Sequence, residues 1–186
     1  MTKPRNPEAY RSLSPDELKH MWQSHEKAEG ASPRVIEYDE IIKAKSIDQL
    51  FGRDHCLIVF YPNFQSGNAV SGHYITLIKN KGTIFFYDPY GVKPDQQKEF
   101  AGRQRKELYD ERENTLIRLL LDSGYNVDYN QYPHQSKQRG VATCGRHSLN
   151  RCLYWFLNTD QYNQLIKYAS KKKRLGNDDY MASEWV

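Results

Sequence analysis

The sequence has little cysteine, no long apolar run and no strong excess of either charge. Its three cysteines, Cys56, Cys144 and Cys152, are odd in number and lack the paired spacing of a metal knuckle. A disulfide framework is therefore not indicated, and neither is a metal site. The longest apolar runs, CLIVFY at 56–61 and TIFFY at 83–87, are strand-sized. A membrane helix needs about 20 such residues. The opening MTKPRNPEAYRSLSPDEL lacks the apolar centre of a secretory signal. A formal charge of +4 is modest. It is concentrated in KPDQQKEFAGRQRK (93–106) and KKKR (171–174), which makes DNA or another polyanion a candidate stimulator. The expectation is a soluble, intracellular, monomeric protein without a membrane partner, metal or cofactor.

What is present is the content of one folded domain over 1–186, with 14 tyrosines for its core and surfaces. The segment SLSPDELKHMW carries a helix start, with Ser14 as N-cap, Pro15 at the first helical position and Glu17 completing a capping box. A short extended piece and a small helix capped near Ser46 follow in 32–51. DHCLIVFYPN reads as a buried strand ended by Pro62, and QSGNAVSG as a loop. HYITLIK, NKG and TIFFYD then form a hairpin, with Asn80, Lys81 and Gly82 suiting a three-residue turn. RKELYDERENTLIRLLLDSG (105–124) has the spacing of an amphipathic helix, with Leu108, Arg112, Leu116, Leu119 and Leu120 near one face. YNVDYNQYP returns as a strand. A helix headed by Cys144 follows, its stripe being Leu149, Cys152, Leu153 and Phe156. A last helix, TDQYNQLIKYAS, precedes a tail, GNDDYMASEWV, with no assignable role. The parts are an N-terminal helical and extended region (1–54), a core (55–157) and a C-terminal helix with tail (158–186).

In RGVATCGRHSLNRCL, Cys144 stands directly before a glycine at a helix head. The helix dipole and free backbone N–H groups there favour a thiolate. Such a nucleophile needs a base, a group that orients the base, and donors for the developing oxyanion. If Lys79 pairs with Thr83, the hairpin register carries His73 to within about one position of Asp88. His73 would then take the thiol proton, and Asp88 would hold the other imidazole nitrogen. The oxyanion would be held by the Cys144 N–H and by Gln135 or Gln138. His147, one helical turn past Cys144, is badly placed to be the base. Cys56 and Cys152 read as packing residues.

GHY, a hairpin, FFYDPYG and then a glutamine shortly before TCGRH together resemble the adenain and SUMO-protease clan of cysteine peptidases, over about residues 55–157. The nearest look is to its virus-encoded branch, the relatives of adenovirus maturation protease in virophages and Maverick-type elements. The resemblance implies an α+β fold, a central mostly antiparallel sheet flanked by helices with the catalytic cysteine at a helix N-terminus. It also implies the chain order His73, Asp88, Gln135 or Gln138, Cys144, with the longer loops of viral relatives favouring Gln135 over Gln138. Tyr74 replaces the tryptophan usual after the histidine. With Gly145 it is expected to line a narrow substrate cleft.

The function so implied is an endopeptidase that processes viral capsid precursors during virion maturation, in the virion and the infected cell. Two other readings stand beside it. One is an isopeptidase removing a ubiquitin-like modifier from host proteins; the other is a nucleic-acid-binding or scaffold protein without activity.

Overall fold

Alternation along the middle strands sends successive side chains to opposite faces, and here both faces are apolar. A sheet of that kind must be covered on each side. The computed structural model describes residues 3–29, 32–65, 68–97 and 114–185. After a 3-10 turn at Pro7–Tyr10 come α1 (Pro15–Ser24), β1 (Arg34–Glu37), α2 (Tyr38–Lys43), α3 (Ile47–Phe51), β2 (Cys56–Gln65), β3 (Asn68–Asn80) and β4 (Thr83–Tyr87). They are followed by α4 (Thr115–Leu121), β5 (Asn126–Tyr129), α5 (Cys144–Leu153), α6 (Thr159–Lys173) and α7 (Asn177–Glu184). The strands form one sheet in the order β1-β2-β3-β4-β5. Its two central pairings are antiparallel and its two outer ones parallel. The chain is thus α+β, with a mainly antiparallel sheet flanked by helices.

Ile58, Phe60, Tyr74, Ile78 and Tyr87 pack with Leu18, Trp22, Leu149, Cys152, Ile166 and Trp185 beneath α1, α5, α6 and α7. Leu57, Val59, Ile75, Leu77 and Phe86 pack on the other side with Ile41, Leu50, Phe51, Leu116 and Leu120 of α2, α3 and α4. Each fully buried aliphatic side chain contributes roughly 1.5–3 kcal/mol relative to exposure. No helix among the described residues is long and apolar enough to cross a membrane.

Local signals fix several helix starts. Ser14 Oγ accepts from Glu17 N at 3.3 Å, and Ser14 N donates to Glu17 Oε2 at 2.7 Å, which completes the expected capping box. Ser46 caps α3 through Gln49 N at 3.2 Å. Other expectations need correction. Asn80 pairs with Thr83, so the hairpin loop is Lys81 and Gly82 alone, both with positive φ (46° and 77°). Two left-handed residues match the sheet twist, and the whole register moves by one step. β2 does not end at Pro62 but continues to Gln65, pairing Pro62 with Gly72. β1 has already stopped opposite Phe60, so the proline sits where that side of β2 is an open edge.

β3 likewise takes up QSGNAVSG from Asn68 onward, because the extended β2 gives it a partner. α5 stops at Leu153, which leaves Phe156 57% exposed rather than in the core. α2 forms where only extended chain was expected. The expected helix at 105–124 appears as Thr115–Leu121; its first half, with Leu108 and Arg112, lies outside the described residues, as does most of the 93–106 basic cluster. The unassigned tail forms α7.

Candidate active site

β4 ends at Tyr87, opposite Thr76, while β3 runs on in the other direction to Asn68. This leaves an open stretch of β3 edge, and the YDPYG turn folds across it. Asp88 Oδ1 accepts from Tyr90 N at 2.6 Å, and the Asp88 carbonyl accepts from Gly91 N at 2.9 Å. Asn130, just past β5, locks the same turn by accepting from Asp88 N at 2.8 Å and donating to the Asp88 carbonyl at 2.9 Å. The aspartate is fully buried.

Carried past the end of β4, the observed register brings His73 level with Tyr90, two positions from Asp88 rather than one, and the two remain neighbours. The result is a stack as well as a hydrogen bond. The His73 and Tyr90 rings lie nearly parallel with centroids 5.0 Å apart. His73 Nε2 donates to Asp88 Oδ2 at 2.9 Å, and Gln97 Nε2 donates to the same oxygen at 2.8 Å. With Nε2 engaged, Nδ1 is the nitrogen left to Cys144, whose sulfur is in hydrogen-bond contact with the imidazole. Burial would push the His73 pKa down. The charge and hydrogen bond of Asp88, with the Cys144 sulfur, outweigh it and hold it up to about 10.

Cys144 is the first residue of α5, so helix geometry leaves its backbone N–H without an intrahelical acceptor. Its side chain is 7% exposed, and Sγ lies 3.8 Å from the Gly72 carbonyl oxygen. That approach depends on glycine. A Cβ at position 72 would stand 2.2 Å from a Phe60 ring carbon and 2.5 Å from the Tyr61 carbonyl. The glycine of GHY is thus a packing requirement of the site.

Gln135 is 1% exposed and Gln138 is on the surface. Gln135 Nε2 donates to the Tyr90 hydroxyl and to the Val141 carbonyl, each at 3.2 Å, which joins it to the His73 stack. Tyr74 and Gly145 do not line open space. Tyr74 is 2% exposed, stacks on Phe60 and donates its hydroxyl to the Leu13 carbonyl at 2.8 Å. A Cβ on Gly145 would touch Leu18 at 2.9 Å, so this glycine lets α1 approach α5. The N-terminal segment covers both.

His147 is fully buried on another side of α5. Its Nε2 lies 3.5 Å from Asp178 Oδ1 and its Nδ1 3.5 Å from the Tyr87 hydroxyl, both long for hydrogen bonds. Cys56 and Cys152 lie in the core beside the sheet, and the cysteines are free thiols.

Four residues around this constellation were not singled out by the sequence. Gln97 and Asn130 fix Asp88, Tyr90 covers His73, and Asp178 of α7 holds the loop before Cys144. Asp178 accepts from Ser136 N at 3.0 Å and from the Thr143 hydroxyl. A polar side chain in a loop or tail acquires such a role only when the fold brings its partner to it. The position of Tyr90 within YDPYG was the one usable hint.

No family model matches the chain. It is 25% identical over 134 residues to "Uncharacterized protein V9" of Sputnik virophage, a match spanning 71% of this chain and 74% of that one. Among solved structures it is similar to the ASFV pS273R protease (10% identity, 99% of this chain and 72% of that chain, TM-score 0.44). It is also similar to the yeast Ulp1 protease domain in complex with SMT3 (13% identity, 95% and 75%, TM-score 0.41). Both structural likenesses are distant, so the chemistry rests on the geometry of the site.

Proposed function

We propose that the chain is a cysteine endopeptidase that cleaves viral structural precursors during virion maturation. The observation that carries the reading is the buried imidazole of His73, held between the Asp88 carboxylate and a thiol at a helix N-terminus. An imidazole with raised proton affinity draws the proton from Cys144 and leaves a thiolate facing an imidazolium. The thiolate attacks the peptide carbonyl carbon. The C–N bond then breaks, the amine leaves with the proton from His73, and a thioester remains on Cys144. Water, deprotonated by His73, attacks the thioester carbonyl; the C–S bond breaks and the acid departs. Asp88 keeps Nε2 occupied throughout, so that Nδ1 does the proton transfer. Gln135 rather than Gln138 belongs to the oxyanion side, since it alone of the two is buried against the His73 stack. The viral setting is supported by the likeness to a virophage protein.

The test combines labelling with cleavage. Iodoacetamide at neutral pH should alkylate Cys144 at least tenfold faster than Cys56 or Cys152, which are buried without a base. Cys144→Ala should abolish cleavage of the capsid precursor, read as fragments by mass spectrometry, while leaving the fold intact. Equal labelling of the three thiols, or cleavage by the alanine variant, would overturn the peptidase reading. Hydrolysis confined to a ubiquitin-like fusion would replace the precursor substrate with a modifier.

A further inference from the structure

The catalytic residues give a substrate little surface to hold. His73, Asp88, Gln135 and Cys144 are all buried, and the N-terminal segment covers Tyr74 and Gly145. A chain that reaches the thiol has to be gripped elsewhere, where binding energy from its remote parts can hold the reacting bond in place.

The far end of α5 carries a surface of that kind. Phe156, expected in the core stripe, is exposed, and so is Trp155 beside it. The Trp155 ring meets Phe156 at 86° with centroids 6.1 Å apart, and His55 at 59° with centroids 4.6 Å apart. Rings at such steep angles make a corner instead of a stack. All three line a cavity of about 350 Å³. Glu29 and Asp54 line it too; both are exposed, and neither has a cationic partner among the described residues. Lys27 is also in the wall, but its ammonium lies 3.1 Å from Glu184 and 4.0 Å from Glu26, so its charge is already met. The cavity therefore joins open aromatic faces to uncompensated negative charge. An aromatic face attracts a cation, tryptophan most strongly. An apolar occupant would leave the carboxylates unused, and an anion would be repelled by them.

The position suits a polypeptide held at the same time by Cys144. Leu153, the last residue of α5, lines the cavity, and Cys144 is the first residue of that 10-residue helix. The two ends are thus ~15 Å apart along the axis. An extended chain covers that distance in roughly five residues.

We propose that this cavity is an exosite that takes a lysine or arginine side chain of the polypeptide substrate, with the cation against Trp155 and Phe156 and its charge met by Asp54 and Glu29. This rests on the peptidase reading above. Such a contact is the same in the bound substrate and in the transition state, so it lowers KM and leaves kcat unchanged.

The experiment has two arms. In the first, a capped glycine peptide with a central lysine is titrated into the nitrogen-15-labelled protein. The Trp155 indole N–H resonance, assigned by its loss in Trp155→Phe, should shift. Peptides with norleucine or glutamate in place of the lysine should leave it unmoved at the same concentration. Asp54→Asn combined with Glu29→Gln should weaken lysine-peptide binding roughly fivefold or more, and added salt should weaken it in the parent. In the second arm, the same double variant should raise KM on the precursor about fivefold with kcat constant, and leave hydrolysis of a short peptide spanning only the scissile bond at the parent rate. Its iodoacetamide rate at Cys144 should match the parent, which reports an intact thiol–imidazole pair. An equal shift with the norleucine peptide, or a precursor KM unchanged in the double variant, would overturn the proposal. Absence of Cys144-dependent cleavage in a parent whose Trp155 signal responds to the lysine peptide would instead overturn the peptidase reading itself.

Discussion

An imidazole enclosed at the end of an apolar sheet would ordinarily lose its proton, and at His73 two neighbours reverse that outcome. The Asp88 carboxylate, itself held by Gln97 and by the Tyr90 N–H, supplies most of the opposing effect. The sign follows directly. A raised histidine pKa contributes stability that is fully present below the unfolded value near 6.5 and is lost as pH rises through about 10. Activity that needs the imidazolium to protonate the leaving amine should follow the same limb. The kcat/KM profile of the parent is expected to fall near pH 10. Asp88→Asn keeps an oxygen for His73 but removes the charge, so its alkaline fall should move to neutral pH, with a lower plateau as well. An unmoved limb in that variant would mean that the carboxylate is not what raises His73. At this scale the thiol, imidazole and carboxylate that the fold brings together were readable from sequence, because their chemistry is intrinsic to the side chain. Gln97 and Tyr90 were not, because an amide or a phenol takes its role from whatever it touches.

The elements that matter most for the site are β3 and α5, tied together by a helix from the end of the chain. Asp178 lies in the first turn of α7, and its carboxylate takes the Ser136 N–H and the Thr143 hydroxyl, with His147 nearby. Burial pushes its pKa up, but those partners outweigh it and the net shift is downward. It therefore fixes both ends of the 136–143 loop that leads into Cys144. Asp178→Ala strands a buried N–H and a buried hydroxyl and should cost about 2–4 kcal/mol. Asp178→Asn retains one acceptor oxygen and should cost about half as much. Urea unfolding followed by far-UV circular dichroism checks both, and equal stability of the two variants would show that the carboxylate adds nothing beyond the amide. The capping box of α1 and the apolar runs of β2 to β4 were legible because each signal and its effect lie within a few residues. The hairpin register was not, since two- and three-residue turns at Asn80–Gly82 differ by one pairing step that the turn residues alone do not choose.

Across the whole molecule the two chain ends meet over the cysteine helix. The fully buried Arg146, two residues after Cys144, donates to the Trp185 carbonyl and the Arg11 carbonyl at 3.0 Å each and to Glu8 at 2.7 Å. Asp179 accepts from the N–H groups of Arg5 and Asn6 at 2.7 Å, and Ala142 N donates to the Ala9 carbonyl at 2.8 Å. Arg146→Ala removes the common donor and is expected to lower stability by about 2–3 kcal/mol. It should also make the segment before Ser14 cleavable by trypsin in the folded protein. Mass mapping of a brief digest reads this directly; a variant as resistant as the parent would show that the N-terminal segment is held without Arg146.

What the sequence by itself determined is local and periodic: α+β content, strands buried on both faces, the Ser14 helix start, a thiol at the head of a helix, and histidine and aspartate on one hairpin. Tertiary structure alone decided the rest. The register of that hairpin set His73 against Tyr90. Packing buried Gln135 and left Gln138 on the surface, and the N-terminal segment closed over Tyr74 and Gly145. The tail became the helix that secures the cysteine loop. The physical reason is the same in each case: covalent neighbours set the first group, while the second depends on contacts between residues far apart in the chain, whose energies exist only once the sheet has brought them together.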